Sequence, residues 1–403
     1  MTFGISSLSS RASAAVSEIS TIIHSVVNTT NASLHEPLLG NEEIAEISRC
    51  VISGFVSSAG PQISEFEAML CDFTGAKHAI AVVNGTAALH LSLLATGVAA
   101  NDEVLIPALT FVGTGNAVQH AGGIPHFVDS EPNHLGIDVN KLATYLSSIA
   151  VIREGQCFNS LTGRRISHII PVHVFGHIGD LNSLNEVAKR YRITVIEDAA
   201  EALGSQREGR HAGLFGACGV ISFNGNKIIT TGGGGVLITN DKSLAQRLRV
   251  LATTAKRPHT YEYWHDELAY NYRMPALNAA LGIAQMKRLE AMLLAKARLS
   301  KAYENAFMLA TSAKFFVGEE STLSNNWLNA IKLNDEYLTV RNKVLEGLNE
   351  IGFGCRPVWS LLCDLPHFVD CPAMELHTAR NLQSRLINIP SSAVFGESLQ
   401  LDA

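Results

Sequence analysis

Charge is scarce in this chain: 17% of its 403 residues are Asp, Glu, Lys or Arg, and the formal net charge is -6. A protein that tracks a nucleic-acid backbone needs a broad surplus of basic side chains, so this balance argues against nucleic acid as a partner, though it allows a local basic pocket for a small anion. Cysteine is sparse and unpatterned. The seven residues, Cys50, Cys71, Cys157, Cys218, Cys355, Cys363 and Cys371, are odd in number and include no C-x-x-C pair. Neither a disulfide framework nor a zinc ribbon follows, and the thiols read as reduced and cytoplasmic. Long apolar runs are missing too, and residues 1–31, rich in Ser and Ala, lack the apolar stretch of a signal peptide. The expectation is a soluble cytoplasmic protein with no membrane partner. What the chain has in quantity is hydrophobic residue, 47% of the total, enough at this length for a large core and more than one domain.

From His78 onward, short β-rich runs alternate with helical ones. His78-Ala-Ile-Ala-Val-Val precedes a predicted helix over 86–98, and Glu103-Val-Leu-Ile one near 111–119. Ile124-Pro-His-Phe-Val leads to a helix over 140–147, and His168-Ile-Ile-Pro-Val-His-Val to one over 181–191. Such alternation implies βαβ crossovers, a largely parallel sheet covered on both faces, and ligands at the carboxyl ends of its strands. After Asp198 the rhythm changes. Val220-Ile-Ser-Phe and Gly235-Val-Leu-Ile-Thr are joined by a short glycine-rich link, which suits antiparallel neighbours. A helix over 242–251 closes a large domain at 34–255, and the polar stretch Lys256-Arg-Pro-His leads into a smaller one at 256–403, beginning with a long helix over 275–303. Residues 1–33 stand apart, either as a frayed tail or, over 14–27, as an amphipathic helix docking on a partner subunit.

Lys227 sits in the glycine-rich link, in Ser222-Phe-Asn-Gly-Asn-Lys, beside the glycines at 232–235. A lone lysine is normally a solvated surface charge, so its company matters. About 30 residues upstream, the apolar run Thr194-Val-Ile-Glu-Asp ends in Asp198, where a carboxylate needs a partner such as a protonated pyridine nitrogen, or else an arginine. Gly85-Thr86-Ala87 opens a helix directly after a strand, which makes either an ordinary capped turn or a phosphate cradle of N–H groups. Ser222 and Asn224 share a strand face, so the Ser222 hydroxyl can add a phosphate contact or bond to backbone. Phe111 can lie on a planar ring or pack in the core. An acid for a pyridine nitrogen, a phosphate cradle and an imine-forming amine are together the fixtures that pyridoxal phosphate requires. The glycines at 232–235 do not fit G-x-G-x-x-G, which argues against a nicotinamide site. His173 and His177 have the spacing of a helical metal pair, but Pro171 and Gly176 break any helix there and no metal is expected.

With these residues in hand, the chain resembles the DegT-type nucleotide-sugar aminotransferases, a pyridoxal-phosphate family of the aspartate-aminotransferase fold (fold type I, α/β, with a smaller α+β C-terminal domain). The likeness runs from about Leu34 to Ser392. It rests on Leu34-His-Glu-Pro, Asn84-Gly-Thr-Ala-Ala-Leu, Pro107-Ala-Leu-Thr-Phe, Pro171-Val-His-Val-Phe-Gly, Glu197-Asp-Ala-Ala-Glu, Ser222-Phe-Asn-Gly-Asn-Lys and Tyr270-Asn-Tyr-Arg-Met. Phe127-Val-Asp-Ser, Thr253-Thr-Ala-Lys-Arg-Pro-His and His265-Asp-Glu look most like the branch that aminates UDP-2-acetamido-4-keto-6-deoxyhexoses on the way to legionaminic-acid or bacillosamine-type sugars.

The resemblance implies that Lys227 forms the imine with the cofactor and moves the proton, and that Asp198 holds the pyridine nitrogen. Thr86, Ala87 and Ser222 would hold the phosphate and Phe111 would stack on the ring. It implies that Asn271 reaches a neighbouring subunit's cofactor, hence a homodimer. Glu201 departs from the common Gln or His near the phenolic oxygen, and its role stays open. Lys256, Arg257 and His259 are candidates for the nucleotide diphosphate, and Trp359 and His367 for the sugar pocket. The expected reaction moves an amino group from L-glutamate to the keto carbon, C4, of a nucleotide-linked sugar. The alternatives are a 3-keto-sugar aminotransferase, a dehydratase, which retention of Lys227 disfavours, and a cofactor-binding regulatory protein, for which no helix-turn-helix is evident. Lys227→Arg keeps the charge and is expected to lose both turnover and the absorbance of lysine-bound cofactor; a fully active variant refutes the assignment.

Overall fold

A computed structural model describes residues 10–399; residues 1–9 and 400–403 lie outside the described residues. Three helices come first, α1 (Ser10–Val27), α2 (Asn41–Ser53) and α3 (Pro61–Thr74). Then follow β1 (His78–Val82), α4 (Gly85–Ala95), β2 (Glu103–Pro107), α5 (Val112–His120), β3 (Ile124–Val128) and α6 (Val139–Ile149). After the hairpin β4 (Ala150–Arg153) and β5 (Gln156–Asn159) come β6 (Ile166–Ile169), α7 (Leu181–Tyr191), β7 (Thr194–Asp198), β8 (Gln206–Arg207), β9 (Arg210–His211), β10 (Cys218–Ser222), β11 (Gly235–Thr239) and α8 (Lys242–Ala252). The remainder holds α9 (Ala276–Ala306), β12 (Ala313–Phe315), β13 (Thr322–Leu323), β14 (Asn329–Leu333), α10 (Arg341–Glu350), β15 (Arg356–Pro357), α11 (His377–Arg385), β16 (Leu386–Ile389) and α12 (Val394–Glu397).

Seven strands form the main sheet in the order β1-β11-β10-β7-β6-β2-β3. All neighbours run parallel except β11, which is antiparallel to both β1 and β10 because the short link from β10 leaves no room for a crossover. Every residue of β2, β6 and β11 is buried, as in a sheet covered on both faces. The returning helices start at side-chain caps: Asn84, Asp138, Asp180 and Asp241 each accept first-turn N–H groups of α4, α6, α7 and α8. These caps keep the strand-to-helix turns tight, so the α4 N-terminus is held close to the carboxyl end of β1.

Some local expectations shift. The helix expected through residue 98 stops at Ala95, where Gly97 takes a left-handed φ of 91°. The next helix begins at Val112, which leaves Phe111 as an extended N-cap. The hairpin of β4 and β5 was not foreseen. Its turn, Glu154-Gly155, has positive φ at both residues but is neither Asn-Gly nor Asp-Gly, and β4 carries no buried face to betray it.

Two cores are visible. The larger surrounds the main sheet and takes in Ala276 to Ala295 positions of α9, including Ile283, Leu289 and Met292. The smaller contains Leu299 and Tyr303 of the same helix with β12, β14, β16 and α10. At 1.5 Å per residue the 31-residue α9 is a rod of about 46 Å, and it serves both cores. α1 belongs to the smaller core. Ala12, Ala15, Val16, Ile19 and Ile23 form one buried stripe, and Glu18 accepts N–H bonds from Thr311 (2.9 Å) and Ser312 (2.8 Å). Over residues 10–27 the N-terminal segment is thus a helix seated on its own chain, and its apolar stripe is already used up rather than kept for a partner subunit. We propose to retain the division near residues 255 and 256, with α9 as the common strut and α1 in the smaller unit. Among the described residues, no helix is long and apolar enough to cross a membrane.

Lys296 of α9 lies fully buried between the cores, donating to the carbonyls of Trp327 (3.0 Å) and Ser391 (2.5 Å), with no carboxylate among its partners. Burial pushes its ammonium down to about 7. The unfolded chain holds that proton more tightly, so folding is penalised below about pH 7 and the penalty fades as pH rises toward the ordinary lysine value near 10.4. In urea unfolding, Lys296→Met is expected to match or exceed the wild type at neutral pH and to remove the rise in stability between those limits; a variant that retains the full slope refutes this.

Candidate active site

The carboxyl ends of β1, β7 and β10 converge on a cavity of about 340 Å³. Thr86, Phe111, Asp198, Glu201, Ser222 and Lys227 line it, together with Gly85, Asn224, Trp327 and Trp359. Residues separated by more than a hundred positions are thus brought together by strand order, as expected for a parallel α/β sheet.

Asp198 ends β7 with its side chain buried. Alternation along the strand sends the neighbouring Glu197 to the other side, where it accepts from His173 (3.0 Å) and from the N–H groups of Gly213 and Gly216 (2.8 and 2.7 Å). The Asp198 carboxylate accepts from the Thr114 hydroxyl (2.8 Å) and the Ala200 N–H (3.2 Å). Burial pushes the carboxyl up from its ordinary value; the Thr114 and Ala200 hydrogen bonds and the charges of Lys227 and His173 oppose this, and among the described residues no ion pair closes on it. A cationic ring nitrogen at this position would supply the missing charge.

At the other end of the cavity is the first turn of α4. The N–H groups of Gly85 and Thr86 have no partner one turn earlier in the helix, and the dipole favours an anion there. A Cβ on Gly85 would stand 3.2 Å from Ser222 Cβ and 3.4 Å from Ser222 Oγ, so the missing side chain is what lets the helix N-terminus and the serine hydroxyl approach each other. Between the two ends projects Lys227. Its Nζ lies 3.3 Å from Glu201 Oε1 and 3.6 Å from the centre of the Trp327 ring. An anion cradle, an amine and a buried acid along one cavity fit the phosphate, aldehyde and ring nitrogen of pyridoxal phosphate.

Several expected residues lie elsewhere. Ala87 does not line the cavity, and its N–H is taken by the Asn84 side chain (2.7 Å), so it is not available to a phosphate. Asn271 is exposed on the strap before α9, paired with Thr253, and lies outside its own chain's cavity. Lys256 and Arg257 line a separate cavity of about 300 Å³ with Arg249 and Arg273, beside the β1 edge. His259 faces Tyr261 and Glu262 instead. His367 is exposed and rests on Phe368, so the sugar-pocket expectation for it is not met within this chain; Trp359 lines the cavity while packing on Phe175, 5.3 Å between centroids. His173 is committed to Glu197. A separate group, Glu131, His134 and Glu319, converges near the surface. There the Gly136 N–H donates to His134 Nδ1, which leaves Nε2 as the protonated nitrogen facing Glu131, and Arg207 holds Glu319 (2.8 Å).

Sequence reasoning missed Thr114 and Trp327. Thr114 stands in the first turn of α5, 3.1 Å from the hydroxyl of Thr110, which precedes the extended N-cap Phe111, so no helical periodicity links the two. Trp327 comes from the C-terminal part and gave no signal; it is fixed by donation from Nε1 to the Asn226 carbonyl (2.7 Å).

The family model described as the DegT/DnrJ/EryC1/StrS aminotransferase family matches residues 37–400. Among known proteins, the GDP-perosamine synthase of Caulobacter vibrioides is 34% identical over 369 residues, 91% of this chain and 94% of that protein. Helicobacter pylori PseC, an aminotransferase involved in the biosynthesis of pseudoaminic acid, superposes with a TM-score of 0.81 at 23% identity, covering 90% of this chain and 94% of that one, a likeness of fold. A DegT DnrJ EryC1 StrS aminotransferase from Brucella abortus gives 0.78 at 26% identity, over 88% and 91%.

Removing the Thr114 hydroxyl takes away a hydrogen bond to a charged group, worth about 1.5–3 kcal/mol. Thr114→Val is expected to weaken pyridoxal phosphate binding by roughly tenfold or more, and Thr114→Ser to restore it, as read by absorbance titration of cofactor-free protein. Undiminished affinity in the valine variant would remove Thr114 from the site.

Proposed function

The chain belongs to the DegT/DnrJ/EryC1/StrS aminotransferase family, whose members depend on pyridoxal phosphate, and on that premise we propose that it moves an amino group from L-glutamate to the keto carbon, C4, of a nucleotide-linked 6-deoxy-keto-hexose. The observation that carries this reading is the single cavity holding Lys227, Asp198 and the α4 N-terminus. Bound pyridoxal phosphate supplies an electron sink when the bond from hydrogen to the amine-bearing carbon breaks.

The chain's own residues do the rest. Lys227 Nζ would hold the cofactor's aldehyde carbon and is the amine within reach to carry a proton between carbon atoms. Asp198, held by Thr114, would keep the ring nitrogen cationic. Gly85, Thr86 and Ser222 would anchor the phosphate. Phe111, Trp327 and Trp359 cover the cavity with apolar surface, which excludes water and strengthens each of these interactions.

Asn271 and the basic group of Lys256, Arg257 and Arg273 are proposed to serve the cavity of a second copy, in a homodimer. The exposure of Asn271, Lys256 and Arg257, the half-buried position of Arg273 and their separation from the cavity of their own chain support this. Arg257 is tied to Asp266 (2.6 Å) and Arg249 to Glu67 (2.9 Å), whereas the Arg273 guanidinium has no hydrogen-bond or ion-pair partner among the described residues and is free to meet a diphosphate.

For the nucleotide, the relatives named GDP-perosamine synthase point to guanosine, and we take a GDP-linked keto sugar as the first candidate. The phrases around Phe127 and Thr253 that resemble enzymes of UDP-2-acetamido-4-keto-6-deoxyhexoses support UDP as the second. With L-glutamate and a panel of GDP-, UDP- and dTDP-linked keto sugars, one nucleotide is expected to give glutamate-dependent product with the amine at C4 by NMR. Amination at C3 would move the reading to a 3-keto sugar, and cofactor binding without turnover on any keto sugar would sink it.

A further inference from the structure

The cavity holds one amine and two buried carboxylates, and the cofactor accounts for only one of the acids. Glu201 is left. Its Oε2 accepts the Phe175 N–H (2.9 Å), while Oε1 faces Lys227 Nζ at 3.3 Å. Phe175 is held at a left-handed φ of 56°. Asn325 donates to the carbonyls of Glu201 and Leu203, 2.9 Å each, so the turn carrying the acid cannot back away. With Oε2 engaged by a donor, a proton on this carboxyl resides on Oε1, pointed at the lysine.

We propose that Glu201 is the proton acceptor for Lys227: Oε1 takes a proton from the Nζ ammonium, so that the lysine meets the cofactor aldehyde as a free amine, and keeps that proton while the lysine is engaged. The proposal rests on the reading of Lys227 as the residue that bonds the cofactor. In the transfer one N–H bond breaks and one O–H bond forms, the electron pair stays on Nζ, and the charge of the pair is unchanged.

Other groups facing the lysine are poorer acceptors. Asp198 is committed to Thr114 and to the ring nitrogen. His35 also feels Lys227, but burial, with the charges of Lys296 and Lys227, pushes it well below its ordinary value. His173 faces Asp198 and is occupied by Glu197. Burial pushes Glu201 up from the carboxylate range, Lys227 and the Phe175 N–H oppose this, and the nearby Asp198 charge adds to it. A buried ion pair also costs more desolvation than the neutral amine and acid it can become. The Trp327 ring, 3.6 Å from Nζ, holds the ammonium in place before transfer and opposes its loss of a proton, which the burial of the pair favours.

The test is the rate at which cofactor-free protein captures pyridoxal phosphate, followed by absorbance as a function of pH. Glu201→Gln keeps an acceptor for the Phe175 N–H but cannot take a proton. It is expected to capture roughly tenfold or more slowly near neutral pH and to approach the wild type in alkali, where solvent deprotonates the lysine. Its affinity for 4′-deoxypyridoxine 5′-phosphate, which has no aldehyde, should stay at the wild-type value. Equal capture rates at every pH, or an equal loss of analogue binding, overturn the proposal. Should the glutamine variant not fold, wild-type protein with ¹³C-labelled glutamate carboxyls decides. Capture should raise an infrared band of a neutral carboxylic acid that shifts with the label, and its absence overturns the proposal. Wild-type protein that captures no pyridoxal phosphate sinks the reading of Lys227 and this proposal with it, so the two failures are distinguishable.

Discussion

One lysine between two buried carboxylates is an arrangement that a protein interior does not tolerate by itself. Desolvation works against Asp198 and Glu201 alike, and the two acids repel each other through a medium that screens poorly. Two events would relieve the surplus, a cation arriving next to Asp198 and the proposed uptake of a proton at Glu201. The first is a binding site for a positively charged ring. The second is a store for the proton that an amine must lose to act. The same local imbalance therefore favours the cofactor and sets up the lysine.

The rest of the chain keeps these groups from relaxing away from one another. Asp198 is tied to α5 through Thr114, Glu201 to the turn at Phe175, and Lys227 to Trp327, which belongs to the C-terminal part. Trp327 also connects outward: its indole N–H holds the turn at Asn226, and its carbonyl accepts from Lys296 of α9. A helix that runs through both cores thus ends up one residue away from Lys227. α1, packed on the far half of that helix before the region shared with the family begins, stabilises the smaller core without touching the cavity.

The cavity of a single chain also looks incomplete for a nucleotide-linked substrate. It offers one amine and no arginine, whereas the basic side chains sit on the strap preceding α9 and beside the β1 edge. A second copy supplying that strap would add the charge that a diphosphate needs, consistent with the exposed Asn271 and the half-buried Arg273 on the same segment.

Much of this was legible in the order of residues. Strand-helix alternation announced the parallel sheet, because side-chain periodicity is local and survives without the fold. Asn84-Gly85-Thr86 and Asp198 were readable for the same reason, each standing at the end of an apolar run where a parallel sheet places its ligands, and Lys227 by its place in the glycine-rich link that follows β10. Glu201 was visible as an oddity without a role. The loss of the Ala87 N–H to the Asn84 cap is local, three residues apart, but the partnership of Glu201 with Lys227, the Thr114 bond to Asp198 and the arrival of Trp327 from a hundred residues downstream were decided by the tertiary structure. Those contacts depend on strand order and domain packing, and their geometry is set to within an ångström by neighbours far apart in the chain, which no local pattern encodes.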